Sequence, residues 1–228
     1  GFQLFLDFHF KIPALALTCA ALAALAVGQA WPVKDRASAE ANRIARRVAT
    51  GSCALALLAV GCVWIVPRLR AEAVRYEHRR EIDRMAQREA SPREITAIAE
   101  RARAGFSRAL ELDPGNAQAW ADRAYSAAIL AAHEPSRHAE LGREAEADAR
   151  RALAGGAVVS EFWIRLGVAL DLQKRWSPAG DAFTEALRLA PVSRPAWYFF
   201  ASHLAQNRVT FPLARAAVAT CLRLDPSK

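Results

Sequence analysis

Residues 163–191 read WIRLGVALDLQKRWSPAGDAFTEALRLAP, and they contain two series of side chains at helical spacing. The two series are formed by Trp163, Leu166, Gly167 and Leu170, followed by Ala179, Phe183, Ala186 and Pro191. Steps of three and four residues place each series on one face of a helix. Gly167 and Ala179 are small enough for two helices to approach closely, and Pro191 ends the second helix. The stretch therefore predicts a closely packed pair of helices.

The same pattern recurs on both sides of this stretch at a period of about 34 residues. Copies begin at Trp120, Trp163 and Trp197, and the last one closes at Pro226 with one inserted residue. The copy at Trp120 carries about nine extra residues around positions 133–143 and has Ala157 in place of the terminal proline. Remnants of an earlier copy are Phe106, Ala109 and Pro114. The pattern predicts three helical pairs within 117–228, preceded by an irregular pair.

The irregular pair lies in a charged connector, 68–116. Ser91 and Pro92 form a helix start, since serine caps a helix and proline suits its first position, and Glu94 stands where it can return the capping hydrogen bond. We therefore predict one helix over 68–90 and the next over 92–112.

This pattern resembles the tetratricopeptide repeat, with Leu170 where that repeat usually has tyrosine. An ordinary helical bundle explains one copy equally well, but three copies in phase favour a solenoid. The resemblance implies that a protein or peptide partner binds the concave surface of the first helices. It places there Glu161, Ile164, Val168, Asp171, Tyr198, Ser202 and Gln206. The Lys and Asn combination with which some such repeats bind a C-terminal carboxylate is absent from this set.

The N-terminal part, 1–67, contains two uncharged apolar segments, 12–31 and 48–66. A helix of about 20 residues matches a hydrocarbon core of roughly 30 Å, so we predict two transmembrane helices and a lipid bilayer as partner. Trp31 and Trp64 stand near segment ends, as is common at membrane interfaces. A secretory signal peptide is an alternative for the first segment, and a buried helical pair is an alternative for both. The predicted fold class is all-α: two transmembrane helices followed by a solenoid of helical pairs.

Charge and motifs exclude several other functions. The net charge is +8, but basic and acidic residues are interleaved, whereas nucleic-acid binding needs a stripe of one sign. The five histidines and four cysteines fall in no His-x3-His or Cys-x2-Cys arrangement, so we expect no metal site. No phosphate-binding glycine loop or nucleophile elbow occurs, so we expect no cofactor and no catalytic residue in this chain.

The segment 6–14, LDFHFKIPA, precedes the first apolar segment and resembles the stretch before the last membrane helix of the O-antigen ligase and polysaccharide polymerase family. Asp7, Phe8, Pro13 and Ala14 carry the resemblance, and Gln3 stands where family members often have histidine. The family implies transfer of undecaprenyl-linked glycans at the outer face of the bacterial inner membrane, by residues of a loop upstream of this chain. It also implies that the repeats are periplasmic, although equal basic flanks leave the orientation open.

Two functions follow from these patterns. The sole methionine is Met85, so we expect the chain to be the C-terminal piece of a longer protein. In the first interpretation, it is the tail of an inner-membrane ligase or polymerase whose repeats recruit partners. The alternative is a membrane-anchored tetratricopeptide scaffold or assembly factor without catalytic activity.

Overall fold

A computed structural model describes residues 47, 50–52, 55–56, 58–59, 61–206 and 210–224. Residues 1–66 and 67–228 form separate compact units. In the described part, a short π-helical segment, Gly61–Ile65, precedes eight α-helices, and a 3₁₀ turn, Pro135–Arg137, lies between the third and the fourth. The helices are α1 (Val66–Ala86), α2 (Pro92–Leu112), α3 (Ala117–His133), α4 (His138–Gly156), α5 (Ser160–Leu172), α6 (Trp176–Leu189), α7 (Arg194–Ala205) and α8 (Phe211–Leu224).

The two predicted transmembrane segments lie largely beyond what the structure describes. Segment 12–31 falls entirely outside the described residues, and segment 48–66 falls only partly inside them. None of the helices described is both long and apolar enough to span a bilayer. The transmembrane helices, and the division into 1–67, 68–116 and 117–228, therefore stay predictions.

The predicted start of α2 is confirmed. Ser91 has an extended backbone, and its hydroxyl accepts a hydrogen bond from the backbone N–H of Glu94 at 3.3 Å. Pro92 is the first helical residue, where its missing N–H costs nothing. The carboxylate of Glu94 accepts instead from Arg88, so the cap is held by serine and proline.

One hydrogen bond recurs in the three helical pairs that begin with α3, α5 and α7, and it fixes their register. In each pair, the tryptophan near the start of the first helix donates its indole N–H to the carbonyl oxygen six residues before it. The bonds are Trp120 to Pro114 at 2.9 Å, Trp163 to Ala157 at 2.7 Å and Trp197 to Pro191 at 2.8 Å. Because the acceptor is a backbone carbonyl, Ala157 accepts this hydrogen bond as well as a proline would. The recurrence explains how the degenerate copy keeps its register.

Small residues set the spacing of the central pair, α5 and α6. A Cβ added at Gly167 would lie 2.7 Å from the ring of Phe183, which is 1% exposed. Ala179, Ala182 and Ala186 are buried on the same side of α6. The glycine and the alanines thus allow the close approach that the sequence predicted.

The first pair, α1 and α2, also depends on one glycine. Ile82 and Met85 of α1 pack with Phe106 of α2 in one apolar cluster. Beside them, a Cβ added at Gly105 would clash with the imidazole ring of His78. The His78 ring therefore occupies the space that a larger residue at position 105 would need.

Candidate interaction surface

The first helices of the four pairs, α1, α3, α5 and α7, form what we call the A-helix surface. Its predicted binding residues lie on α5, on α7 and at Gln206, which caps the end of α7, and they differ in exposure. Tyr198 is 61% exposed, and Ser202 and Gln206 are also exposed. Ile164 is only 3% exposed, and it belongs to the apolar core beneath the surface. Glu161, Val168 and Asp171 are half-buried.

The structure brings α5 and α7 together at Asp171. One carboxylate oxygen lies 2.7 Å from Nδ1 of His203, and the other accepts from the Gln206 amide at 3.4 Å. The His203 ring packs at 5.4 Å from the ring of Phe183 and stacks on Phe200. Burial raises the pKa of the Asp171 carboxyl, and the hydrogen bond and charge of His203 oppose that rise. Asp171 and Gln206, predicted from different repeats, thus belong to one contact.

A buried ion-pair network lies where α1 meets α3. Asp122 of α3 is fully buried, and its two oxygens lie 2.6 Å from Arg75 Nη1 and 2.6 Å from Arg79 Nη1. Arg75 is also paired with Glu72 one turn earlier in α1. A buried carboxylate needs such charged donors, because an unpaired charge in the interior is costly.

The same network extends to α5. Arg79 Nη1 lies 3.2 Å from Oε1 of Glu161, and Glu161 also accepts from Arg165 at 2.6 Å and from Gln118 at 3.2 Å. Burial alone would raise the pKa of Glu161, but the charges of Arg165 and Arg79 outweigh it and lower that pKa to about 2. For Arg79 the signs are reversed. Burial by itself would lower the pKa of its guanidinium group, but the negative charges of Asp122 and Glu161 outweigh burial and raise that pKa.

Tyr125 of α3 completes the network with an aromatic face. The guanidinium carbon of Arg165 lies 3.9 Å from its ring centroid, and that of Arg79 lies 5.9 Å away. Such cation–π contacts hold the arginines in place. We call Arg75, Arg79, Asp122, Tyr125, Glu161 and Arg165 the arginine cluster.

The arginine cluster divides the A-helix surface into two halves. Between α1 and the start of α5, the charged groups of the cluster are used in contacts within the chain. Between the end of α5 and α7, the exposed groups are Tyr198, Ser202 and Gln206. We call this second part, together with Val168 and Asp171, the open half.

The sequence did not reveal the arginine cluster. The ion pairs that join its different helices link residues 43 to 82 positions apart, and such pairs leave no periodic signal. Two signals point towards it: Arg75 and Arg79 stand one turn apart on α1, and Asp122 interrupts an alanine-rich helix. The sequence also did not predict the contact of His203 with Asp171, since a single histidine forms no recurring pattern.

The residues of the ligase-like motif, Asp7, Phe8, Pro13 and Ala14, lie outside the described residues. Among the described residues, no three His, Cys, Asp or Glu side chains group as metal ligands.

Comparison with known proteins identifies the fold. No protein-family model matches the chain, and no curated protein matches it. Among solved structures, pilF of Pseudomonas aeruginosa has a TM-score of 0.52 at 21% identity, covering 71% of this chain and 64% of pilF. The Arabidopsis OM64 TPR domain has a TM-score of 0.48 at 17% identity, over 62% of this chain and 99% of that domain.

The second TPR domain of human RPAP3, solved in complex with an HSP70 peptide, has a TM-score of 0.46 at 20% identity. It matches 60% of this chain and 97% of its own length. The likeness to pilF confirms the predicted tetratricopeptide-like, all-helical fold of the repeat region. Likeness at these identities shows the fold, and it does not support the ligase resemblance.

Proposed function

We propose that this chain is a tetratricopeptide-type scaffold that binds a protein or peptide partner on the open half of the A-helix surface. The observation that supports this most directly is that Tyr198, Ser202 and Gln206 are exposed. The charged groups of the arginine cluster, on the other half of the surface, are instead paired within the chain. This proposal corresponds to the scaffold alternative derived from the sequence.

The chemistry of the open half suits a peptide. Tyrosine contributes a large contact area at low entropic cost and is enriched in protein interfaces. The Ser202 hydroxyl and the Gln206 amide can exchange hydrogen bonds with a peptide backbone. Val168 of α5, which is half-buried, supplies an apolar side chain. The open half therefore offers an aromatic anchor and neutral polar groups.

The arginine cluster is a poor binding site by comparison. A ligand there would have to separate Asp122 or Glu161 from its arginines. Breaking a buried ion pair by removing one partner costs about 3–5 kcal/mol. We infer that the cluster supports the surface and that the partner contacts the other half.

The scaffold is anchored, in this proposal, by the apolar segments 12–31 and 48–66. The ligase interpretation is the second candidate, since Asp7, Phe8, Pro13 and Ala14 favour it. In that case the repeats lie in the periplasm of a bacterial inner membrane, next to an upstream catalytic loop that handles undecaprenyl-linked glycan. We favour the scaffold, because the features that support it lie in the repeats themselves.

Site-specific photo-crosslinking tests the proposed surface. A photoreactive amino acid is placed at Ser202 in the full chain, and at Asp181, an exposed residue of α6, as the matched control. We expect a specific adduct from position 202 that disappears when Tyr198→Ala is added, and none from position 181. Equal adducts from both positions, or an adduct insensitive to Tyr198→Ala, would count against the proposal.

A further inference from the structure

The stretch of extra residues in the second helical pair brings one histidine between three helices. His138 is the first residue of α4, and its half-buried imidazole contacts the main chain at both ring nitrogens. Nδ1 lies 2.8 Å from the carbonyl oxygen of Ala131 in α3. Nε2 lies 2.8 Å from the carbonyl oxygen of Leu172, the last residue of α5. The ring therefore joins α3, α4 and α5.

The helices themselves provide no donor for these two carbonyl groups. The N–H that would continue the α3 ladder to Ala131 belongs to residue 135, and Pro135 has no N–H. At the end of α5, the backbone N–H groups of residues 173–175 bond to carbonyl oxygens before Leu172. Carbonyl groups in the last turn of a helix are commonly left without a partner in this way. His138 supplies the donor to both.

The two contacts determine the protonation state of the ring. A carbonyl oxygen can only accept a hydrogen bond, so both nitrogens of His138 have to donate. Neutral imidazole carries one N–H, whereas the imidazolium cation carries two. In the neutral form, the unprotonated nitrogen would direct its lone pair at a carbonyl oxygen. The arrangement therefore fits the charged form of His138.

The helix ends around the ring favour a positive charge there. The C-terminal end of a helix carries a partial negative charge, and the ring contacts two such ends, those of α3 and α5. The N-terminal end of α4, at which His138 stands, opposes the charge. Two favourable helix ends thus act against one unfavourable end.

Most charged side chains of the surrounding elements are paired with one another. The pairs are Arg137 with Glu134 and Glu100, Arg103 with Glu144, Glu146 with Arg175, and Asp171 with His203. Exposed to water are His133, Glu140, Arg143 and Lys174. Because pairing and water both weaken the field of a charge, the carbonyl groups and helix ends dominate at the His138 ring.

We propose that protonated His138 is a pH-dependent lock on the last turn of α5. In the imidazolium form, the ring fixes that turn to α3 and α4. When the ring loses a proton, one of the two hydrogen bonds is lost and the connection between the helices is broken. Histidine changes its charge between about pH 5 and 8, so the lock is closed in mildly acidic solution and open in mildly alkaline solution.

The lock affects the open half of the A-helix surface, because Asp171 lies in the same turn as Leu172. The Asp171 carboxylate contacts His203 and Gln206. Loosening this turn disturbs those contacts, so we expect the partner to bind more tightly at acidic pH. This consequence rests on the proposed function, whereas the lock itself is tested without a partner.

Melting temperatures of the full chain in a mild detergent test the lock. The wild type, His138→Gln and the control His133→Gln are compared from pH 5.5 to pH 8. The single amide nitrogen of glutamine cannot reach carbonyl groups on two sides of the ring. At pH 5.5, His138→Gln should melt about 2–4 °C below the wild type, as loss of one net hydrogen bond does in a chain of this size.

This difference should shrink towards zero at pH 8. A proton that the folded lock binds more tightly than the unfolded chain stabilises the fold at low pH, and that contribution is lost as the pH rises. The exposed ring of His133 bonds to a carbonyl oxygen of its own helix. The difference between His133→Gln and the wild type should therefore not depend on pH.

Nuclear magnetic resonance of the ring nitrogens tests the wild type without any substitution, and it decides the question if His138→Gln does not fold. We expect a proton on both nitrogens of His138 at pH 5.5. Corrected for intrinsic rates, amide hydrogen exchange at the end of α5 should be slower there than at pH 8.

Two results would overturn the proposal: a His138 ring with a single N–H throughout this pH range, or a melting difference for His138→Gln that is the same at every pH. A lock that behaves as expected, together with no cross-linked partner at position 202, would count against the proposed function alone.

Discussion

At the scale of single residues, the fold depends on where small residues and buried charges stand. Gly167 leaves room for Phe183, and Gly105 leaves room for His78. Asp122 pairs with two arginines of α1, and Glu161 pairs with Arg79 of α1 and with Arg165 of its own helix. These positions tolerate little change, because each is determined by a contact between helices and not by local helix propensity.

The substitution Gly167→Ala should destabilise the chain by about 1–3 kcal/mol, as overpacking a dense core does. The added Cβ would meet the Phe183 ring at 2.7 Å. Gly115→Ala is the control, because a Cβ there meets only Asp113 Oδ1 at 3.5 Å, an ordinary contact. Urea denaturation measures both variants. A Gly167→Ala variant as stable as Gly115→Ala would show that α5 and α6 are not in close contact.

The substitution Glu161→Gln should lower stability near neutral pH by about 1–2 kcal/mol, after allowance for the partial exposure of this side chain. The pKa of Glu161 is about 2 in the folded chain, below the ordinary value near 4.3. A lowered folded pKa stabilises the fold above the unfolded pKa, and that contribution is lost as the pH falls towards the folded value.

The melting temperatures of the wild type and Glu161→Gln should therefore converge as the pH falls from about 5 towards 2. Glu185→Gln is the control, since Glu185 is paired with Arg188 within one exposed helix face. It should change the melting temperature little at any pH. A Glu161→Gln difference that does not depend on pH would argue against the ion pairs with Arg79 and Arg165.

At the scale of helices, α1 is held to the repeats by charge as well as by apolar packing. Its Ile82 and Met85 pack on α2, while Arg75 and Arg79 reach Asp122 on α3 and, through Arg79, Glu161 on α5. The helix thus joins the first pair to the next two.

The substitution Asp122→Ala should loosen α1, because Arg75 and Arg79 would lose their shared partner. We expect a loss of about 3 kcal/mol, with faster amide hydrogen exchange in α1 than in α5 or α6. Asp83→Ala is the control, since Asp83 pairs with Arg79 at a half-exposed position. Unchanged exchange in α1 of Asp122→Ala would mean that apolar contacts alone hold that helix.

Much of the helix-scale architecture followed from the sequence, because tryptophans, prolines and small residues recur with a period. Trp163, Gly167 and Phe183 predicted the central pair, and Ser91 with Pro92 predicted where α2 begins. The arginine cluster did not follow, since Arg79 and Glu161 meet only after several helices have packed. The sequence also did not predict which surface residues are exposed. Ile164 and Tyr198 both stand at predicted binding positions, but Ile164 is buried and Tyr198 is exposed.

At the scale of the whole molecule, the two halves of the A-helix surface differ in chemistry. The open half of the A-helix surface combines Tyr198 with neutral polar groups, and it suits a peptide. The other half contains the arginine cluster, whose charged groups are used in contacts within the chain.

The most direct test of the proposed function is a binding measurement with the partner segment captured by cross-linking. Isothermal titration compares that segment with the wild-type chain, Tyr198→Ala and the control Asp181→Ala. We expect Tyr198→Ala to weaken binding by about tenfold or more, as loss of an aromatic anchor does, and Asp181→Ala to leave it unchanged. Equal affinity for all three proteins would contradict the assignment of the open half as the binding surface.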